Sequence, residues 1–477
     1  MVDYTVAGVD GGACAPRGFR AAAVDAGLVP AAGVDLALVA SQQPAIAVGR
    51  LTAHRFASAP VRWTRERLTG GRARAVLAHA GSANAATGPP GDADAAALAE
   101  AAASALGCTP GEVLLLGTGP VGVRLDLAAA IDGVEPAASS LSRRGSADIG
   151  RALTAHGGAV REQAVAVAWS EGEVRIGAVA KASAPFSPAF ATTLAVLTTD
   201  ATVARPILQR ALTRAVARSF ERVLVDQGPG VGDAIVLLAN GTAAAPALTE
   251  DSEGTVAFES ALSQLCESLA EGLASRVPGA RKLLVLTVHG AATHADALEA
   301  ARALSGSIAL RAGLAAGVAA WPAALDALGR SSARMEPGQV EIRFGPVTVV
   351  ASGRLAPHDE GAAAAVAAKS QVDIAVDLGV GDAAATVTTT DLPPEAISLL
   401  ATGPPRRQPA PQVVRPRREE QPPAVADVPP DPPDPAPELA LLEPVPEAAP
   451  EPGQSGRTMG EQGWWSSRGR WPGCPGP

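Results

Sequence analysis

A turn-prone segment carrying Ser183, Pro185, Ser187 and Pro188 runs into Phe190-Ala191-Thr192-Thr193, and an apolar stretch over 194–197 follows at once. Loops display reactive groups while an apolar strand anchors them, so an exposed hydroxyl at this junction is a candidate nucleophile. A Thr- and Ala-rich junction is equally an ordinary structural one. Upstream, an apolar run over 113–116 ends in Gly117-Thr118-Gly119-Pro120-Val121-Gly122. Three readings stay open there. GxGxxG after a strand has the spacing of a dinucleotide loop, although Pro120 brings no N–H to a phosphate cradle. It is also a plain turn, or a pair of donors at Thr118 and Gly119 for an oxyanion. The loop His79-Ala80-Gly81-Ser82-Ala83-Asn84 follows a short strand and leaves Asn84 to present its amide or merely to turn the chain. A glycine-rich stretch over 227–233 could cradle an anion yet lacks the Lys-Ser/Thr of a P-loop. His289 and His294 are five apart without the HExxH pattern, so they read as surface or packing residues and no metal site is expected.

These groups need a scaffold, and composition supplies one. The 477 residues are 47% hydrophobic and 18% charged, enough for two or three domains with real cores. Aromatics make up only 3%, so Ala, Val and Leu must fill those cores. A net charge of −9 without a basic face argues against a nucleic-acid partner. No apolar run is long enough to span a bilayer, and the N-terminus lacks a basic signal region. Cys14, Cys108, Cys266 and Cys474 are scattered with no CxxC pair. They suggest neither disulfides nor zinc, and a cytoplasmic setting is expected.

Several elements can be placed. Strands are expected near 35–40, 74–78, 113–116, 165–169, 174–177, 223–226, 234–239, 283–288, 340–344, 347–351 and 372–378. The turn Ser170-Glu171-Gly172-Glu173 makes a hairpin of two of them. Helices are expected over 60–67, from a cap at Asp92 to Gly107, over 205–220 with a basic outer face, over 257–276, and from a cap at Thr293 to Leu304. The fold class is therefore α/β (α+β), a layered sandwich of mixed sheets flanked by helices. Nearly half of the 41 prolines lie in 401–477, so this stretch reads as a disordered tail, with Trp464, Trp465 and Trp471 as a possible docking motif.

Taken together, the motifs resemble the ornithine acetyltransferase family. The match runs from about residue 16 to 400 and rests on GFRAAAVDAGL (18–28), ASAPVRWTRERL (57–68), AGSANAATG (80–88), TGPVG (118–122), AKASAPFSPAFATTLAVLTTDA (180–201) and VDLGVGDAAATV (376–387). The resemblance implies an N-terminal-nucleophile-like fold that cuts itself at Ala191–Thr192. It divides the chain into segments 1–191 and 192–400, with Thr192 the nucleophile and Thr118 and Gly119 the oxyanion donors. Lys181 and His156 would then help bind substrate. The implied reaction carries acetyl from N-acetylornithine to glutamate in arginine biosynthesis, with no cofactor. Acetyl-CoA is an alternative donor, and an oligomer of processed pairs the expected assembly. A freed Thr192 α-amine, with a pKa of about 7.7–8.0, suits a local base.

Departures cluster on the substrate side. Ala189 replaces a family Asn, Ala155-His156-Gly157-Gly158 replaces a substrate loop, Pro278 stands where a binding Glu is expected, and residues 318–323 lose an Asp-Pro-Asn-Trp-Gly-Arg element. The alternative reading is a degenerate paralogue serving as a binding or regulatory protein.

Overall fold

The computed structural model describes residues 3–30, 32–182, 193–224, 230–276 and 279–394. Everything described falls within one compact unit spanning residues 1–408. In chain order the strands are β1 (Tyr4–Gly8), β2 (Phe19–Val24), β3 (Leu36–Leu51), β4 (Arg72–His79), β5 (Val113–Gly117), β6 (Ala159–Trp169), β7 (Gly172–Ala182), β8 (Thr193–Thr199), β9 (Ala234–Ala239), β10 (Leu283–Ala291), β11 (Glu341–Phe344), β12 (Val347–Ala351), β13 (Arg354–Leu355), β14 (Gln371–Asp377) and β15 (Ala383–Thr390). The helices are α1 (Ala59–Arg67), α2 (Gly88–Leu106), α3 (Leu127–Ser139), α4 (Ser146–Leu153), α5 (Arg205–Arg218), α6 (Glu253–Ala274), α7 (His294–Ser305), α8 (Ile308–Ala315), α9 (Trp321–Gly329) and α10 (Glu360–Ala367).

A nine-stranded sheet runs β1-β6-β7-β8-β9-β3-β4-β5, with β2 added on β3. Its central strand, β3, is 16 residues long and breaks register with β4 between Ala40 and Ala45. Polar Gln42 and Gln43, with Pro44, fall in that interruption. The irregularity lets one strand serve two layers: its first part pairs with β2 and β4, and its second with β9.

Period-two burial then sorts the side chains into layers. On β8 and β9, Leu194, Val196, Ala234, Val236 and Leu238 face an inner core shared with Val39, Val76, Leu114 and Leu116 of the other half. Their neighbours Ala195, Leu197, Ile235 and Leu237 face outward onto α5 and α6. Across the second half, Leu77 and Leu115 face α2 and α3. The result is helices, sheet, sheet, helices. Phe258 on α6 is fully buried under the first half. Phe258→Ala is expected to cost about 3–5 kcal/mol in chemical denaturation. A loss under about 1 kcal/mol would mean that this layer is not packed as described.

A second sheet, β13-β12-β11-β14-β10-β15, carries α7 to α10 and its own core. The two sheets meet where Leu224 N–H donates to Thr388 O at 2.8 Å. No helix among the described residues is long and apolar enough to cross a membrane.

The layered mixed α/β class expected from sequence is present, and so is the β6–β7 hairpin, which turns at Trp169 and Gly172. Three local expectations need correction. Helix α2 begins at Gly88, so Asp92 lies inside its first turns, pairing with Arg62 rather than capping. Pro89 and Pro90 explain the early start, since proline fits a first helical turn. The expected strand at 223–226 is reduced to one bridge at Val223, and residues 225 and 226 lie outside the described residues. Helix α5 does not merely expose its basic face to water: Arg210 and Arg214 pair with Glu259 of α6. Residues 401–477, with Trp464, Trp465, Trp471 and Cys474, lie outside the described residues, while Cys14, Cys108 and Cys266 are free thiols.

Candidate functional site

Strand order alone would separate the two ends of the site. Five strand-to-strand steps lie between β7 and β5, roughly 24 Å in a flat sheet. Yet Lys181 Nζ, near the end of β7, donates to Thr118 Oγ1, just beyond β5, at 2.6 Å. Folding the sheet over at β3 brings them face to face. Lys181 shares its strand face with Val179, which belongs to the inner core, so its side chain enters the space between the halves.

Lys181 is almost wholly buried. Burial pushes its ammonium down to about 7, and the Asp233 carboxylate works against that fall. From the neighbouring strands its register partners are Val160 and Leu194, which carry no charge. Asp233 closes the glycine-rich loop immediately before β9. Its Oδ1 accepts Thr193 N–H and its Oδ2 accepts Gly230 N–H, both at 2.6 Å. The first residue of β8 is thereby pinned beside the buried lysine.

The loop after β5 is held by the loop after β4. Ala83 N–H donates to Pro120 O at 3.1 Å, and Gly122 N–H to Ala85 O at 2.9 Å. Gly119 adopts φ +140°, and a Cβ there would sit 2.6 Å from Ser82 N, so glycine is required on both counts. Thr118 N–H is committed to His79 O at 2.9 Å, whereas Gly119 N–H has no hydrogen-bond partner among the described residues. Helix α3 starts only at Leu127, and the Gly122 amide is spent on Ala85. This GxGxxG therefore does not open a helix as a dinucleotide loop does.

Asn84 does not present its amide. It is buried at φ +47°, its Nδ2 donates to Gly91 O at 2.9 Å and its Oδ1 accepts the Thr87 hydroxyl at 2.7 Å. Asn tolerates this left-handed conformation and stitches the loop to α2. His156 is exposed on the loop's rim, and its Nε2 accepts Gly81 N–H at 3.1 Å. The structure thus joins Thr118, Gly119, His156 and Lys181. Ala191, Thr192 and Pro278 lie outside the described residues, as do Ala189 and Phe190. Farther away, His289 Nδ1 lies 3.3 Å from Asp377 Oδ2, and His294 Nδ1 contacts Ala384 O at 2.8 Å, both stitching strand ends.

Two residues escaped the sequence reading. Asp233 was hidden in an anion-cradle motif, although an acidic residue directly before a buried strand is itself a signal. His79 was read only as a loop start. Its ring is fully enclosed, with Nδ1 unpartnered among the described residues, and burial lowers it to about 4 from 6.5. The unfolded chain therefore takes up this proton first as pH falls. Stability is complete above pH 6.5 and is lost as pH drops toward 4, by on the order of 3 kcal/mol. Denaturation midpoints between pH 7 and 4 should fall less steeply in His79→Leu; an equal slope would assign the acid loss elsewhere.

Residues 20–401 match the ArgJ family. The arginine biosynthesis bifunctional protein ArgJ of Symbiobacterium thermophilum is 38% identical over 384 residues, 80% of this chain and 96% of that one. Its namesake in Mycobacterium tuberculosis H37Rv is 35% identical over 400 residues, 80% of this chain and 93% of that one. A crystal structure of ArgJ from Bacillus halodurans aligns at 28% identity with a TM-score of 0.41, over 43% of this chain and 96% of that one. This chain belongs to the ArgJ family.

Proposed function

We propose that this chain is an N-acetyltransferase of arginine biosynthesis. It hydrolyses its own Ala191–Thr192 bond and then moves acetyl from N-acetylornithine to glutamate through an acetyl-Thr192 ester. The observation that carries the reading is the Lys181–Thr118 contact at 2.6 Å, made beside a strand whose first residue, Thr193, is fixed by Asp233. A buried lysine, a glycine amide without a partner among the described residues and a fixed strand start at Thr193 support that reading.

The chemistry follows from these groups. Thr192 Oγ attacks the acetyl carbonyl while the Thr192 α-amine takes the hydroxyl proton. The carbonyl oxygen becomes an oxyanion facing the Gly119 N–H and the Thr118 O–H. Collapse breaks the amide C–N bond, and the ornithine nitrogen leaves with the proton. Glutamate's amine then attacks the ester, forming the new amide and regenerating Thr192. The acyl group is carried by the chain itself, so no cofactor enters this cycle; acetyl-CoA would serve as another source of the same ester. His156, which accepts Gly81 N–H, and buried Lys181 would help bind the incoming amino acid. Processed segments 1–191 and 192–400 would remain one folded unit and assemble into oligomers.

Purified protein should separate into two fragments, the second starting Thr192-Thr193-Leu194, and should convert N-acetylornithine plus glutamate to ornithine plus N-acetylglutamate. Cleavage with no transfer to any acylated amino acid would make the chain a binding protein on the same scaffold.

A further inference from the structure

Lysine in its charged form has only donors. The Lys181 contact therefore makes Thr118 Oγ1 the acceptor, and the single Thr118 O–H is left to donate elsewhere. Its backbone N–H is already committed to His79 O, so the hydroxyl is the donor that Thr118 can offer a substrate oxygen. Donation from a cation also strengthens the O–H as a donor. Once Lys181 is neutral, its lone pair can accept that same proton, and the hydroxyl turns away from the substrate.

We infer that Asp233 is a positioning residue coupling the nucleophile's strand to the oxyanion loop: one oxygen holds Thr193 N–H, and its charge keeps Lys181 in the state that aims the Thr118 hydroxyl. The geometry is compact. Asp233 is gripped by Gly230 N–H at 2.6 Å, while its own carbonyl accepts Thr52 N–H at 2.9 Å. The carboxylate thus stands on a loop braced from two sides. Among the described residues, the groups facing Lys181 include Asp233 from the start of β9, Thr118 from the loop after β5, and the uncharged Val160 and Leu194 from β6 and β8. The inference rests on the proposed acyl transfer for its catalytic meaning, but the coupling itself is measurable without turnover.

The sequence makes that measurement clean, because the chain has three lysines, Lys181, Lys282 and Lys369. In protein labelled at lysine, NMR titration should show one amine changing state near neutrality, identified by its absence in Lys181→Met. Asp233→Asn keeps an oxygen for Thr193 N–H but removes the charge. In that variant the Lys181 transition should move down by about 1 pH unit or more. The alkaline limb of the transfer rate should move with it, and Asp233→Glu should restore both. An unmoved Lys181 transition in Asp233→Asn overturns the inference, as does a rate lowered evenly at every pH. Wild-type protein with the shifted titration but no cleavage or transfer would instead sink the proposed function and leave the coupling standing.

Discussion

Thr192→Ala is expected to leave the chain in one piece and to lower acetyl transfer by about 10⁶-fold in kcat, the scale seen when a covalent nucleophile is removed. Two losses share one cause. The hydroxyl that would attack the preceding carbonyl during maturation is the same hydroxyl that would later accept acetyl. Alanine has no group that can do either. Thr192→Ser retains the hydroxyl and should still mature, with a slower turnover because the γ-methyl no longer restricts χ1. Gel analysis after native purification reads the first loss, and the transfer assay reads the second. A Thr192→Ala chain that still divides at Ala191–Thr192 would remove the nucleophile assignment.

The second large effect belongs to the loop of Thr118 and Gly119, the proposed oxyanion donors. Thr118→Val keeps the shape and the backbone of that position but deletes its hydroxyl. With Thr118 N–H bonded to His79 O, the hydroxyl is the position's donor, and its loss should lower kcat by about 10²–10³-fold. Substrate affinity should change little, since the interaction matures only in the tetrahedral state. The variant also strips Lys181 of its 2.6 Å acceptor. Thr118→Ser, which restores Oγ, should recover most of the rate. Gly119→Ala is expected to be worse still, because the new Cβ meets Ser82 N at 2.6 Å in a conformation that L residues rarely adopt. If Thr118→Val raised KM and spared kcat, Thr118 would be a ground-state binder and not a transition-state donor.

Much of this architecture was legible in the chain. The tight turn at 170–173 marked the start of β7, apolar runs marked β5 and β9, and Thr293 announced its helix by capping it through Asp296 N–H. The glycine at 107 ended α2 because a left-handed cap suits it. What stayed hidden is non-local. Nothing near Lys181 in sequence says that Thr118, 63 residues away, will meet it, because that contact exists only after β3 folds the sheet over. The length of β3 was equally obscured, since the apolar run that marks it ends at Ala40 while the strand continues to Leu51. Asn84 misled for a related reason. A short amide in a small loop looks like a displayed group, and only burial against α2 reveals it as a stitch. Asp233 was masked by its glycines, whose composition suggests an anion site, whereas its carboxylate accepts the Thr193 and Gly230 N–H groups.

The departures on the substrate side acquire a sharper outline as well. His156 accepts Gly81 N–H on the loop after β4, which braces the separate loop that carries Thr118 and Gly119. The described residues around the proposed site include Lys181, Thr118, Gly119 and Asp233. A screen of acylated amino acids beside N-acetylornithine therefore tests specificity separately from chemistry.

The most direct test of the central claim is chemical. Protein mixed with N-acetylornithine in the absence of glutamate, quenched in acid and digested, is examined by mass spectrometry for the peptide that begins at residue 192. The account predicts an acetyl ester on the Thr192 hydroxyl that disappears when glutamate is added before quenching. An unmodified Thr192 in protein that still forms ornithine and N-acetylglutamate would contradict it.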